Sequence, residues 1–416
     1  MTDRAAGRPS PDAVPGAAAR RTSGRLIGID AARGVALVAI MCVHLLPAAY
    51  PSTGRPTLTW ILFPGDSPAL FALLAGTGLA FTSGGRRPVR GRAMAAARAG
   101  VAVRAVLLLA LGLSIGHLMP PEPPAYNILI YFSVFFLLTL PFIGLAPRTL
   151  FVLSGVFLLV GPLLIHLVGD ALPEFSSLNP TVGTVVSEPA AVFWQLLLTG
   201  TYPALPYMAY LLAGVAIGRL NLRSLHVQVR LLVAGAALAA TAKLVSWHVL
   251  HSADVYTTLL YSIPSLTREQ LDNLLVYGSG GLPTNTPWWL VLTTPDLNTP
   301  FSVAWSLGVG LAVVGACLLL ARRFETWMVP LAAMGAMTLT LYYAHLVFLS
   351  FEFFYAHRLL WAVVSLVLSA LFALAWERAF GQGPVELLMN AVVRPVRRVV
   401  LGREPRGTPN SRTPGS

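Results

Sequence analysis

Between Gly28 and Leu46 the chain reads GIDAARGVALVAIMCVHLL, and three residues of that apolar run could do chemistry: Asp30, Arg33 and His44. Ionisable side chains inside a lipid-crossing stretch are costly, so each marks a function or a structural pairing. Arg33 and His44 stand eleven residues apart. Eleven helical steps of about 100° end about 20° past three full turns, which puts both on one face, roughly 16 Å apart along the axis. Asp30 precedes Arg33 by three residues, within pairing reach. A neutral histidine so placed can act as general base on a hydroxyl or amine that attacks a thioester. A ligand with a charged head, a long arm and a reactive end, as coenzyme A has, would reach from Arg33 to His44. Against this stands an equal alternative: His44 hydrogen-bonded to another helix, and Arg33 anchored at the headgroups.

Further candidates surround this stripe. Thr338, Tyr342, His345 and Glu352 fall at offsets of four, three and seven, a single helical face. His345 would reach the depth of His44, either to bind an acceptor or orient His44, or else to join a network that holds helices together. Asn127 and Tyr131 open one apolar block and Tyr202, Tyr207 and Tyr210 another. They would line a vestibule or form part of an aromatic belt. Asp66, in GDSP, reads first as a helix cap and second as an acceptor-binding residue. Arg86, Arg87 and Arg90 could meet phosphates, although membrane topology already accounts for them. His248, His251 and Asp254, spaced three and three, have metal-ligand spacing but no further ligands nearby, so no metal is expected. Trp288 and Trp289 read as an interfacial anchor before a sugar-stacking pair.

The elements that must position these residues are helices. Of 416 residues, 56% are hydrophobic and 11% charged, a balance far from that of a soluble domain. The apolar blocks run to roughly 20 residues, the length of a membrane-crossing helix. With no strand-like alternation, helices are the only spanning structure left. The pattern predicts an all-α integral membrane bundle of about ten transmembrane helices: 27–48, 67–83, 97–118, 127–146, 149–169, 200–219, 229–250, 301–321, 327–351 and 359–380, with a partial helix at 190–199. Residues 1–24 and 391–416 read as disordered basic segments flanking the bundle of 25–390. The net charge of +12 is topological and implies no nucleic acid. The arginines fall into alternate connections, so both termini are expected on the cytoplasmic side of the cell membrane. Cys42 and Cys317 lie in apolar blocks and imply no disulfide. Intramembrane charges also suit a transporter or flippase of a lipid-linked or small polar substrate, and no internal repeat of the kind such proteins show is visible.

A resemblance narrows these alternatives. GIDAARGVALVAIMCVH is similar to the opening helix of the transmembrane acyltransferase superfamily, which includes the heparan-α-glucosaminide N-acetyltransferase-like proteins and the bacterial enzymes that acylate surface glycans. FPGDSPALFALLAGTGLAF, YPALPYMAYLLAGVAIGRL, MGAMTLTLYYAHLVF and GQGPVELLM resemble later motifs of that group, in the same order. The resemblance implies transfer of an acyl group, usually acetyl from acetyl-CoA, to a glycan or glycolipid at the outer face, in a protein embedded in the lipid bilayer and compatible with a homodimer. It implies a catalytic base at His44 and, at Arg33, a donor-binding or structural cation. The residues placed by spacing and position then take their roles around that reaction: His345 beside the base, Arg86 and Arg87 with Arg33 toward the donor, and Asp66, Asn127, Tyr131, Tyr207 and Tyr342 toward the acceptor. The animal glucosaminide enzymes carry their histidine in the loop after the first helix. Here that loop, AAYPSTGRPTLTWILFPGD, has none, so the likeness is nearer to the glycan-modifying branch.

Overall fold

The computed structural model describes residues 26–402 apart from Pro64, Ala253 and Ser279. Its helices, in chain order, are α1 (Ile27–Leu45), α2 (Leu58–Leu62), α3 (Asp66–Thr82), α4 (Gly91–Leu118), α5 (Ile128–Thr139), α6 (Pro147–Val168), α7 (Val182–Ser187), α8 (Pro189–Trp194), α9 (Ala204–Gly218), α10 (Leu225–Ser252), α11 (Val255–Ser262), α12 (Arg268–Tyr277), α13 (Pro300–Arg323), α14 (Glu325–Ala336), α15 (Thr338–Leu349), α16 (Arg358–Phe380) and α17 (Pro384–Leu401). A turn of π-helix, Gln195–Thr199, continues α8, so the partial helix expected at 190–199 is present.

Among the described residues seven helices are long and apolar enough to cross a membrane, or eight if the bent pair α14–α15 is one span. Helices of that length do not reach the expected count of ten, although every expected block contains a helix. The shortfall has a physical cause. Helix α5 has 12 residues and α9 has 15, fewer than the roughly 20 that cross a bilayer. Both are packed inside the bundle. Along α9 every residue except Leu205 is buried. The lipid-facing surface is carried instead by helices such as α6 and α16, which expose Val152, Leu159 and Leu167, and Leu359, Leu368 and Leu371. This is a multi-pass membrane protein.

Helix boundaries follow local chemistry. Asn127 caps α5 by accepting from the Leu129 N–H at 3.0 Å, and Thr299 caps α13 by accepting from the Ser302 N–H, with Pro300 at the first helical position. Gly381, at φ 75°, ends α16. Around α1 lie α14, α13, α3 and α16. Two glycines set how closely α1 and α14 approach. A Cβ at Gly34 would lie 2.1 Å from the Leu331 carbonyl oxygen, and one at Gly335 would lie 1.8 Å from that of Asp30.

Four expectations need correction. The segment from 391 is ordered to Leu401 as the amphipathic helix α17, because Met389 and Val393 bury against the bundle; residues 1–25 and 403–416 lie outside the described residues. The 327–351 block is not one helix: it breaks at Met337, where α14 and α15 bend by 68°. Glu352 follows the end of α15 at φ 57°, so it does not share the face of Tyr342 and His345. Trp289 is fully buried with Val255, Leu259 and Leu271 in a separate small core, and its indole N–H donates to Asn285. It belongs to that small core rather than serving as an interfacial anchor or a sugar platform.

Candidate functional site

The two histidines singled out by spacing meet. His44, in the last turn of α1, and His345, in the second half of α15, approach at 3.2 Å between Nδ1 and Nε2. Their rings are parallel within 2°, with centroids 5.4 Å apart. That separation is close to the hydrogen-bond length plus two ring radii, so the rings meet edge to edge in one plane. If His44 Nδ1 donates, its Nε2 keeps a free lone pair and can serve as a base; His345 then accepts at Nε2. His345 is 4% exposed. Their separation of 301 positions along the chain is bridged by the packing of α15 against α1.

At the other end of the α1 face, Arg33 pairs with Asp30 at 2.9 Å, as the three-residue spacing predicts. Arg33 also lines a cavity of about 280 Å³ walled by α3, α4, α5, α15 and α17. Most of the lining is apolar, with Phe71, Leu108, Phe132 and Met389 prominent. Its polar groups are Arg33, Arg104, Thr338, Tyr342, Glu386 and Asn390. Arg104 donates to the Asn390 side chain at 3.0 Å, which in turn donates to Gln382. Tyr342 forms part of the cavity wall and lies against Phe71. It stands three residues before His345, so one helical turn separates the wall from the histidine pair.

A second, much smaller polar pocket lies where α3, α9 and α13 begin, lined by Asp66, Tyr207, Tyr210, Asp296, Asn298, Trp305 and Ser306 among others. The Asp66 carboxylate accepts from the Trp305 indole at 3.1 Å and from the Ser306 hydroxyl at 2.5 Å. It does not cap α3, whose cap position is Gly65; the carboxylate is spent across the bundle on α13. Asp296, in the connection before α13, is pushed up to about 6 by burial and, secondarily, by the nearby Asp66 charge.

The other expected site residues divide. Tyr207 lines the second pocket and stacks on Phe135. Tyr131 is buried against Tyr202, outside both pockets. Asn127 has its amide committed to the Leu129 N–H and the Gly112 carbonyl. Arg86 and Arg87 are exposed in the turn after α3 and do not line the cavity. His251 is exposed and bonds the Trp247 carbonyl; among the described residues no three His, Cys, Asp or Glu side chains group as metal ligands. Arg219 is more than a topological charge: it is buried and donates to Ala80, Ser83, Gly85 and Ile143, tying two connections together.

Sequence reasoning missed Arg104, Glu386 and Asn390 in the cavity and Asp296 in the second pocket. Arg104 carried a readable signal, an arginine inside the apolar run GVAVRAVLLLA, the same rule that marks Arg33. Glu386 and Asn390 lie on a helix that only tertiary packing brings to the cavity.

Residues 25–261 match the family model described as heparan-alpha-glucosaminide N-acetyltransferase, catalytic. The match takes in α1, Arg33, His44, Asp66 and Arg104, whereas His345 and Glu386 follow it in the chain. No curated protein matches the chain.

Proposed function

The chain belongs to the heparan-α-glucosaminide N-acetyltransferase catalytic family, and from that membership we propose that it moves an acetyl group from cytoplasmic acetyl-CoA to a carbohydrate or glycolipid at the outer face of the cell membrane. The observation that carries the reading is the His44–His345 pair one turn beyond a cavity flanked by two arginines. A transporter without covalent chemistry is not favoured by that family membership.

In this reading both termini are cytoplasmic, and Arg33 and Arg104 face the phosphates of the donor. Guanidinium groups suit phosphate because they donate in a planar fork. The apolar cavity accepts the pantetheine arm, and Tyr342 directs the thioester toward the histidines. Arg86 and Arg87, exposed at the arginine-rich end, extend the basic surface there. His44 removes the proton from the acceptor hydroxyl or amine as the acceptor oxygen or nitrogen attacks the thioester carbonyl; the sulfur leaves and takes a proton from His44 as the free thiol. His345 holds the tautomer that leaves His44 Nε2 basic. The second pocket, with Asp66, Tyr207 and Asp296, contacts the acceptor.

The test is label transfer from acetyl-CoA to the glycans of membranes that contain the protein. Wild type transfers label, and His44→Ala transfers at background level. Equal transfer by both would remove His44 from the chemistry.

A further inference from the structure

The chain's last described helix meets the broken one at a single carboxylate. Helix α15 starts immediately after the 68° break at Met337. The first N–H groups of any helix lack partners within it, and Met337, which occupies the cap position, gives no side-chain cap. The cap comes instead from α17. Glu386 Oε1 accepts from the N–H groups of Leu339 at 2.9 Å and Thr340 at 3.3 Å, and Oε2 accepts from the Thr340 hydroxyl. The same hydroxyl accepts from the Val385 N–H at 3.0 Å. Gly383 makes the approach feasible, because a Cβ there would lie 2.2 Å from Glu386 Oε2 and 2.6 Å from Thr340 Oγ1. Two motifs that are separate in the sequence, GQGPVELLM and MGAMTLTLYYAHLVF, are therefore one interlocked unit.

We propose that Glu386 is a positioning residue, which sets the tilt of α15 and so holds His345 in line with His44. The proposal rests on the acyl-transfer reading above. Its scale follows from geometry. Thr340 and His345 are five residues apart, about 7.5 Å along the axis. A tilt of about 10° at the cap therefore displaces His345 by about 1.3 Å, enough to break a hydrogen bond of ordinary length. No other side chain caps α15 among the described residues, and the break at Met337 removes the continuity with α14 that would otherwise fix its direction. Glu386 also lines the donor cavity, so its effect must be told apart from donor contact.

The experiment uses the full chain in membranes, with Glu386→Ala, Glu386→Gln and Gly383→Ala. Gly383→Ala drives a methyl group into the carboxylate without touching its charge. The first readout is the rate at which diethyl pyrocarbonate labels His345, followed by mass spectrometry against exposed His251 as the internal reference. Glu386→Ala and Gly383→Ala should raise the His345 rate at least about fivefold, because a group that opens more often is modified faster. The second readout is acetyl transfer to the membrane glycans. The maximal rate should fall about tenfold, with the acetyl-CoA KM held within about twofold, the signature of a lost transition-state arrangement rather than lost binding. Glu386→Gln, which keeps the Oε1 acceptor, should recover most of both. An unchanged His345 rate in both Glu386→Ala and Gly383→Ala overturns the proposal, as does a KM increase at constant maximal rate. Wild-type transfer by Glu386→Ala beside an inactive His44→Ala overturns the positioning role alone. Wild-type transfer by His44→Ala removes His44 from the chemistry and overturns the positioning role with it, whereas no label transfer by wild type overturns the acyl-transfer reading itself.

Discussion

Substituting Gly335 by Ala tests whether the α1–α14 contact holds the site together. The added Cβ would lie 1.8 Å from the Asp30 carbonyl oxygen, 2.7 Å from its carbon and 2.8 Å from the Gly34 nitrogen. These are backbone atoms of a helix and cannot swing aside. Optimal non-bonded separation is about 3.5 Å, so α1 and α14 must part by roughly 1.5 Å. Overpacking of this kind costs at least about 1–3 kcal/mol, several degrees of apparent unfolding temperature. The same displacement reaches the chemistry, since α1 ends at His44 and α14 leads directly into the helix of His345. The control is Gly155→Ala on α6, where a Cβ meets nothing within 4 Å. That change should be neutral or stabilise by about 0.5–1 kcal/mol, the usual gain of alanine over glycine within a helix. The assay is thermal unfolding of both variants in the same detergent, read by intrinsic fluorescence, with acetyl transfer measured in parallel. A Gly335→Ala protein that unfolds within a degree of wild type, or one no worse than Gly155→Ala, would refute the reasoning that backbone contact fixes the two helices.

Other expectations follow from the site. Arg33→Ala and Arg104→Ala should each raise the acetyl-CoA KM about tenfold, a typical loss for one charge-assisted contact, and leave the KM for S-acetylpantetheine, which lacks the nucleotide phosphates, nearly unchanged. His44→Ala should lower transfer by about 10²–10⁴, the range for a lost general base. His345→Gln keeps an acceptor for the His44 N–H and should cost no more than about tenfold, the scale of one neutral hydrogen bond; equal losses in the two variants would argue that His345 does more than orient. For Asp296 the folded carboxyl sits at about 6, above the usual value of about 3.9. The folded chain therefore binds more protons than the unfolded one between those values, and stability falls as pH rises through that window. Asp296→Asn should flatten unfolding temperature across pH 4–6.5 and raise it above pH 6; a slope unchanged in the variant would assign the pH dependence elsewhere.

The comparison of sequence with structure divides along the range of the physics involved. The α1 face was legible because a helix is periodic: eleven residues place Arg33 and His44 on one side whatever surrounds them, and a three-residue step pairs Asp30 with Arg33. The same arithmetic failed for Glu352, because it assumes an unbroken helix and the chain turns before that residue. Each apolar block marked in the sequence contains a helix, but apolar length does not separate a span from a buried helix, since a hydrophobic segment is equally at home in lipid and inside a bundle. Helices α5 and α9 are short and mostly buried among the others. Asp66 looked like a cap from its neighbours along the chain, yet its carboxylate was claimed by Trp305 and Ser306, more than 200 residues away.

Composition and periodicity alone determined that this chain is a helical membrane protein with an ionisable face on its first helix, because lipid demands internally satisfied backbone and a helix repeats its geometry locally. Only the tertiary structure decided that His345 is the partner of His44, that Arg104 joins Arg33 around one cavity, and that Glu386 caps the helix bearing His345. Those are contacts between side chains hundreds or tens of residues apart. Their distances depend on how closely backbones approach at positions such as Gly34 and Gly335, which no local pattern encodes.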